Sequence, residues 1–207
     1  MLDHKNNRQL GSLLAGLADE LENCIAPAEA ALCIPPKCYT SEDHYAHEID
    51  MIFRRKWIGI GHAGRFKEAG DYEAMEIGGV PIIVLRDKQG ALRVYANSCR
   101  HRGARLLEGE GRCAGIRCPF HSWAYKLDGT LAGVPEIEEM PDFDRSQYGL
   151  IEFRVAEIAG LGFVCLDNNA PSAEAQLGDF TELHAPWPMD TLVPMRRRSF
   201  EINCNWK

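Results

Sequence analysis

The chain has 207 residues, of which 45% are hydrophobic and 26% are charged, a composition typical of folded globular proteins. Its 23 Lys and Arg against 30 Asp and Glu give a formal net charge of −7, so no overall basic field exists to attract nucleic acid or anionic lipid. No apolar stretch reaches the roughly 18 to 20 residues of a membrane span, and the N-terminus carries acidic residues that a signal peptide lacks. We therefore expect a cytoplasmic protein that binds neither nucleic acid nor membrane, and whose eight cysteines are thiols or metal ligands.

Two helices are predicted in the N-terminal part of the chain. Leucines at three- and four-residue intervals over residues 9–23 form an apolar stripe, which predicts a short docking helix. Residues 26–37 contain three prolines, which fix φ and remove hydrogen-bond donors, so this segment is predicted to be an extended linker. Thr40 or Ser41 is placed to cap a second helix that runs to about Lys56, with acidic residues in its first turn and basic residues in its last.

From Trp57 onward, the sequence consists of short β-rich runs separated by turn residues. The predicted strands cover residues 57–62, 72–77, 80–86, 91–96, 112–117, 122–127, 150–158 and 161–166. Asp128 and Gly129 offer a tight hairpin turn, because glycine tolerates positive φ. This succession predicts a mainly β fold, an antiparallel β-sandwich or barrel preceded by two helices.

Three segments follow from this pattern. Residues 1–56 form a helical arm and linker, residues 57–167 form the β domain, and residues 168–207 form a connector. Within the connector, a short helix is predicted near residues 177–183 and a strand-like piece at residues 198–206.

Two turns of the β domain each offer one thiol and one imidazole. Cys99 and His101 are separated by one residue, and Cys118 and His121 by two, with residues 102–117 between the pairs. A common zinc finger has two Cys in one turn and two His in a second segment, because a single tetrahedral ion is bound by all four side chains. Two turns that each contain one Cys and one His instead suit a two-iron cluster, in which one iron is bound by both thiolates and the other by both imidazoles. A zinc-stabilised interaction module remains an alternative, since both residue types also bind zinc.

The residues around these turns resemble the Rieske non-haem iron oxygenases. The matching stretches are CRHRG at residues 99–103 and CPFHSW at residues 118–123, and they are similar to the N-terminal Rieske domain of the large (alpha) subunit in aromatic-ring-hydroxylating dioxygenases. Rieske proteins of the cytochrome bc complexes carry an extra Cys in each loop, where this chain has Ala104 and Phe120. They also carry a membrane anchor, which is not found here.

The resemblance implies a Rieske [2Fe-2S] cluster with Cys99 and Cys118 on the inner iron and His101 and His121 on the outer iron. Trp123 stands where bc-type proteins place a serine that bonds a cluster sulfur, which predicts a potential at the low end of the Rieske range of roughly −150 to +300 mV. The hydroxyl of Tyr125 is a possible hydrogen-bond donor to a cluster sulfur, which weakens the prediction of a low potential. Trp123 itself is predicted to pack as core. The segment Val134-Pro135-Glu136 resembles the proline-bearing loop that covers the cluster in this family, although its simplest interpretation is a turn.

The family also implies partners. The terminal oxygenase receives electrons from a flavin-containing reductase, directly or through a ferredoxin. It passes them to a mononuclear non-haem Fe(II) across a subunit boundary in a ring-shaped homo-oligomer, expected to be a trimer. Dioxygen is reduced there and a substrate is hydroxylated, with aromatic compounds as the first expectation and quaternary amines such as choline or carnitine as the alternative. Residues 203–207, NCNWK, resemble the start of the catalytic domain, so the iron-binding part of that domain is expected to be absent from this chain.

The sequence also offers other interpretations. A free-standing Rieske ferredoxin is a second class of protein, but nearly a hundred residues precede Cys99 here, more than a small carrier needs. His44 and His47, with Glu48 beside them, offer two imidazoles and one carboxylate for an iron, but the family takes that iron from a later domain. The remaining cysteines are predicted to be small buried thiols.

Overall fold

The computed structural model describes residues 17, 20–22, 24–25, 27, 29–30, 32–135 and 142–207. Most of the predicted leucine-rich helix lies outside these residues, and so does Glu136. The chain divides into two compact units, one of residues 1–51 with 198–207 and one of residues 52–197. The segment boundaries expected at residues 56 and 167 stay predictions.

In the smaller unit, two short helices have all of their residues described, α1 (Lys37–Thr40) and α2 (Glu42–Glu48). Ser41 caps α2 as predicted, because its Oγ accepts a hydrogen bond from the His44 N–H at 3.2 Å. The predicted helix to Lys56 is wrong in its second half: from Ile49 to Phe53 the backbone is a π-helical turn. This segment, IDMIF, is rich in residues of lower α-helix propensity than the EDHYAHE of α2.

The larger unit is built from antiparallel strands, as predicted. Their bounds are β1 Ile58–His62, β2 Asp71–Ile77, β3 Val80–Arg86, β4 Leu92–Ala96, β5 Glu110–Arg112, β6 Ile116–Arg117, β7 Ala124–Tyr125, β8 Leu131–Gly133, β9 Glu152–Ile158 and β10 Leu161–Cys165. Seven strands form one sheet in the order β1-β10-β9-β4-β3-β2-β5, and three form a second in the order β6-β7-β8. The mainly β prediction is confirmed.

Several local predictions need correction. The predicted strand over residues 112–117 is two strands, since a turn separates β5 from β6, and the strand predicted over residues 122–127 is only the two residues of β7. The helix expected near residues 177–183 is two short helices, α3 (Ala173–Leu177) and α4 (Phe180–His184). Gly178, at a φ of 57°, ends α3 in a conformation that an α-helix cannot continue. Residues 198–206 form no strand.

Strand β3 is buried on both faces, so it separates two hydrophobic clusters. Ile83 and Leu85 belong to the cluster that also contains both Cys of the motif and the core residues of the small sheet. Ile82 and Val84 belong to a second cluster on the opposite face. The small sheet therefore packs on one face of the large sheet, and this packing positions the two Cys–His turns. Among the described residues, no helix is long and apolar enough to cross a membrane.

Candidate metal centre

The first Cys–His loop, residues 97–107, is clamped by the side chain of Asn97. Its Oδ1 accepts hydrogen bonds from the backbone N–H groups of Leu106 and Leu107 at 2.9 and 3.0 Å. Its Nδ2 donates to the Leu107 carbonyl at 2.7 Å. Because Asn97 is only 2% exposed, these bonds satisfy polar groups that water does not reach. Sequence reasoning missed this residue.

The second Cys–His loop, residues 118–123, has the same backbone hydrogen bonds around its cysteine as the first loop has around Cys99. The Cys99 N–H donates to the Ala104 carbonyl at 2.8 Å, and the Cys118 N–H donates to the Trp123 carbonyl at 2.8 Å, five residues on in both cases. In addition, the Gly103 N–H donates to the Cys99 carbonyl at 2.8 Å and the Ser122 N–H donates to the Cys118 carbonyl at 3.1 Å, four residues back in both cases. Two equivalent turns thus present one Cys and one His each.

Both turns need a left-handed residue at the same position. Gly103 has a φ of 72° and Ser122 has a φ of 57°. Glycine adopts this conformation without steric cost, whereas in serine the Cβ comes too close to the backbone and makes the conformation less favourable. The first turn therefore has the residue that its geometry favours, and the second has a strained one.

The two turns place thiols inside and imidazoles outside. Cys99 and Cys118 are 3% and 2% exposed and lie in the same hydrophobic cluster. His101 and His121 are exposed, and their ring centroids lie 4.8 Å apart in an edge-on arrangement. All four residues singled out from the sequence are therefore gathered, in an inner pair of thiols and an outer pair of imidazoles.

Trp123 is core, as predicted, and it also orients an imidazole. It is 7% exposed, and its indole stacks on the His101 ring at 5.1 Å between centroids and 10° between planes. Phe143 and Tyr148 pack edge-on against the same indole, each at 5.7 Å. Stacking of this kind holds the ring plane of His101 fixed.

A cavity of about 780 Å³, here called the imidazole cavity, lies beside the two histidines. Val134 and Pro135 line it together with His101 and His121. The first two residues of the predicted proline-bearing segment thus stand next to the imidazoles, while Glu136 lies outside the described residues. Covering of a cluster by this segment stays a prediction.

Tyr125 follows the second turn in the chain and contacts the first turn through its hydroxyl. Its hydroxyl accepts a hydrogen bond from the Arg100 N–H at 3.0 Å and lies 3.3 Å from Sγ of Cys99. Burial raises the pKa of Tyr125, and the hydrogen bond with the Cys99 thiol raises it further, so the hydroxyl keeps its proton. With one lone pair occupied by the Arg100 N–H, that proton is free to point at the sulfur.

The electrostatics around His101 favour a neutral ring. Loss of hydration lowers the pKa of His101, and the neighbouring His121 and Arg102 lower it further. A neutral imidazole is the form that binds a metal, because the bonding nitrogen must present a lone pair. The lowered pKa of His101 therefore favours the form of this imidazole that binds a metal.

The donor set fits a two-iron cluster better than a single ion. The thiols of Cys99 and Cys118 are buried, whereas the imidazoles of His101 and His121 are exposed. A tetrahedral zinc site needs four such groups at one point. A [2Fe-2S] cluster bound by two Cys and two His needs only one pair for each iron, which matches an inner thiol pair and an outer imidazole pair.

The other candidates from the sequence behave differently. His44 Nε2 lies 3.3 Å from Glu48 Oε1 within α2. Of the remaining cysteines, Cys38 and Cys165 are buried as predicted, whereas Cys33 and Cys204 are exposed, so the prediction of buried thiols is wrong for those two. Both lie in segments without regular secondary structure, where no sheet or helix covers the side chain.

Comparison with known proteins identifies the domain. The family described as Rieske [2Fe-2S] domain matches residues 56–144. The carnitine monooxygenase oxygenase subunit of Escherichia coli K12 is 40% identical over 157 residues, which are 75% of this chain and 42% of that protein. The chlorobenzene dioxygenase subunit alpha of Cupriavidus sp. PS12 is 35% identical over 183 residues, which are 83% of this chain and 40% of that protein.

A solved structure of a quaternary ammonium Rieske monooxygenase, described as revealing inter-subunit electron transfer, superposes with a TM-score of 0.69 at 36% identity. The match covers 73% of this chain and 42% of that one. The chain thus spans less than half the length of each of these three relatives. Residues 56–144 are a Rieske [2Fe-2S] domain, and the chain that carries them is related to the alpha subunits of Rieske oxygenases.

Proposed function

We propose that Cys99 and Cys118 bind one iron of a [2Fe-2S] cluster and His101 and His121 bind the other, and that this domain transfers electrons within an oxygenase terminal component. The observation that carries the proposal is the inner pair of buried thiols beside the outer pair of exposed imidazoles. When bound, a cluster of this type supplies a one-electron store whose potential depends on its ligands and on hydrogen bonds to its sulfurs.

The protein's residues contribute three things to this role. The hydrophobic cluster around Cys99 and Cys118 excludes water from the thiolate side. Trp123 fixes the plane of His101, so the imidazole does not have to reorient when the charge at the metal changes. The exposed histidine rings can donate hydrogen bonds to a partner surface from their outer nitrogens.

In the full-length protein we expect electrons to come from a flavin-containing reductase or a ferredoxin. Their destination would be a mononuclear non-haem Fe(II) held by residues outside this chain, across a subunit boundary of a homo-oligomer. The relationship to Rieske oxygenase alpha subunits, and the inter-subunit electron transfer described for one of them, support this assignment. The reaction would be the O₂-dependent hydroxylation of an organic substrate.

The substrate class has two candidates. Aromatic compounds are the expectation from the sequence, and chlorobenzene dioxygenase at 35% identity is consistent with it. The identity to carnitine monooxygenase is higher, at 40%, and this favours a quaternary amine. Full-length protein supplied with a reductase separates the two, because O₂ uptake and an oxidised product should follow the addition of only one of L-carnitine and chlorobenzene.

The cluster itself is tested on anaerobically purified protein. We expect about two iron and about two acid-labile sulfide per chain, together with visible absorption bands and an EPR signal on reduction. Cys99→Ser and Cys118→Ser should lose all of these, whereas Cys165→Ser, which changes another buried thiol, should retain them. Colourless protein that binds zinc at the same four residues would contradict the proposal and support the zinc-stabilised module.

A further inference from the structure

A second cavity, here called the cationic cavity, lies against the second Cys–His loop and has a volume of about 410 Å³. It is lined by strands β6 and β7 and by the turn between β3 and β4. It shares no lining residue with the imidazole cavity. The two cavities are therefore separate, one beside the imidazoles and one beside the residues that flank the second Cys–His loop.

The charge around the cationic cavity is opposite to that of the whole chain. Lys88, Arg117 and Lys126 line it and are exposed, and none of the three forms an ion pair among the described residues. Asp128 is the one carboxylate in the lining, and its Oδ1 already accepts hydrogen bonds from the N–H and hydroxyl of Thr130. The lining therefore carries three positive charges against one negative charge, on a chain of net charge −7.

The cavity is separated from the thiols by single residues. Tyr125 lines the cavity and its hydroxyl lies 3.3 Å from Sγ of Cys99. Arg117 lines the cavity and is followed in the chain by Cys118. Ile116 and Leu127 add buried apolar surface to the wall. A donor seated here would approach the inner thiols, whereas a donor at the imidazole cavity would approach the outer histidines.

We propose that the cationic cavity is the docking site for an acidic electron-donor protein, whose surface carboxylates bind Lys88, Arg117 and Lys126. This inference rests on the proposed function and deepens it, since it assigns electron entry to the thiolate side and leaves the imidazole side for the acceptor. In the transfer, the reduced donor loses one electron. The cluster gains it, changing from two ferric irons to one ferric and one ferrous, and no bond forms or breaks.

Charge complementarity is the reason for choosing an acidic protein. A patch of one sign in a shallow cavity raises the encounter rate with a partner of the opposite sign by about 10- to 1000-fold, and the gain disappears with salt. Because the chain as a whole is acidic, an acidic partner is attracted only where basic side chains are grouped, as they are around this cavity. The rate of donor reduction should therefore depend on these three side chains and on ionic strength.

The first test measures cluster reduction by stopped flow, with full-length protein and a reduced [2Fe-2S] ferredoxin of acidic surface as the donor. Lys88→Glu/Lys126→Glu should slow the bimolecular reduction about 10-fold or more at low ionic strength, with the difference shrinking to about twofold at high salt. The matched control is Lys56→Glu/Lys67→Glu, which makes the same charge change at two exposed lysines that line neither the cationic cavity nor the imidazole cavity. We expect its rate to stay within about twofold of the unaltered protein. A larger loss in the control than in the cavity variant would overturn the proposal.

The second test needs no electron transfer. A carbodiimide joins lysine amines to carboxylates that they contact, so mixing the full-length protein with the same ferredoxin should give cross-linked peptides through Lys88 and Lys126. Cross-links that avoid both lysines would overturn the docking site. Cluster content is measured separately as iron and sulfide, and the cross-linked peptides are identified without it, so failure of the docking site and failure of the proposed function are distinguishable.

Discussion

The hydroxyl of Tyr125 lies 3.3 Å from Sγ of Cys99, and the Arg100 N–H donates to the same hydroxyl at 3.0 Å. The amide occupies an acceptor position of the oxygen and leaves its proton for the sulfur. A hydrogen bond to a ligand sulfur stabilises the more negative reduced cluster more than the oxidised one. The sequence predicts a low potential from Trp123, whereas this contact acts to raise it.

Removing that hydroxyl should lower the midpoint potential. Tyr125→Phe keeps the ring and deletes the donor, and a loss of about 1.4 kcal/mol in the preference for the reduced state corresponds to about 59 mV for a one-electron couple. Redox titration of the cluster measures the shift. Tyr95→Phe is the control, because Tyr95 is also buried but its hydroxyl bonds the Leu127 carbonyl at 3.3 Å. Equal potentials in the Tyr125 variant and the unaltered protein would contradict the assigned contact.

Asn97 should be essential for the first Cys–His loop. Asn97→Ala leaves the buried N–H groups of Leu106 and Leu107 without their acceptor, at a cost of about 1 to 3 kcal/mol for each group. We expect a lower thermal midpoint and weaker retention of iron. Asn169→Ala, at an exposed position of the same unit, should change neither. An Asn97 variant as stable as that control would show that the clamp is dispensable.

Strand β3 illustrates what the sequence predicts well. Its run of β-branched residues between Gly79 and Asp87 predicts bounds that the structure reproduces, because a strand buried on both faces reads as a continuous apolar run. The four candidate ligands are equally visible, since their spacing is local. Ser41 as a helix cap is also a local signal, confirmed by its hydrogen bond.

The contacts around the site are not local, so the sequence predicts them incompletely: it offers the Tyr125 hydroxyl as a possible donor to a sulfur but does not indicate the role of Asn97. Asn97 binds residues 9 and 10 positions further along the chain, and Tyr125 lies 26 positions from Cys99, so only the folded chain brings these partners together. The β propensity of residues 122–127 predicts a longer strand than β7. The bond from Cys118 to the Trp123 carbonyl takes the first residues of that run into the turn instead.

Gly103 and Ser122 occupy equivalent positions in the two turns, so Gly103→Ser and Ser122→Gly should have opposite effects on stability. Gly103→Ser puts a side chain at a φ of 72°, and since the nearest neighbouring atom, Ser98 Oγ, lies 3.8 Å from the added Cβ, the cost is conformational, about 1 kcal/mol. Ser122→Gly should be neutral or stabilising by up to about 1 kcal/mol, because it relieves the strain at a φ of 57° while adding freedom to the unfolded chain. Urea-unfolding midpoints measure both. A loss of stability in the Ser122 variant equal to that of the Gly103 variant would show that the two positions are not equivalent.

Asp87 should make stability depend on pH at the acidic end. The carboxylate is fully buried in the β3–β4 turn, next to the cationic cavity. Burial opposes its ionisation, but the hydrogen bonds from Arg93 at 2.8 Å and from the N–H groups of Ala91 and Gln89 outweigh it and lower the pKa. A carboxyl whose folded pKa is lowered stabilises the fold above its unfolded pKa of about 3.9, and this stabilisation is lost as the pH falls through the folded pKa.

Asp87→Asn should therefore destabilise the protein at pH 7 by about 1 to 3 kcal/mol, because it removes the charge from the hydrogen bonds to Asp87, while Arg93 is partly exposed and keeps its ion pair with Glu152. The difference from the unaltered protein should narrow as the pH falls below about 4, because Asp87 of the unfolded chain is protonated there while its lowered folded pKa keeps the native carboxylate ionised, so the stabilisation is progressively lost. Urea unfolding at pH 7 and pH 3.5 measures the two differences. Asp144→Asn, which removes an exposed carboxylate of lowered pKa, is the control and should show a much smaller effect at both pH values. A difference for Asp87→Asn that widens on acidification would mean that this carboxyl is protonated in the fold at neutral pH.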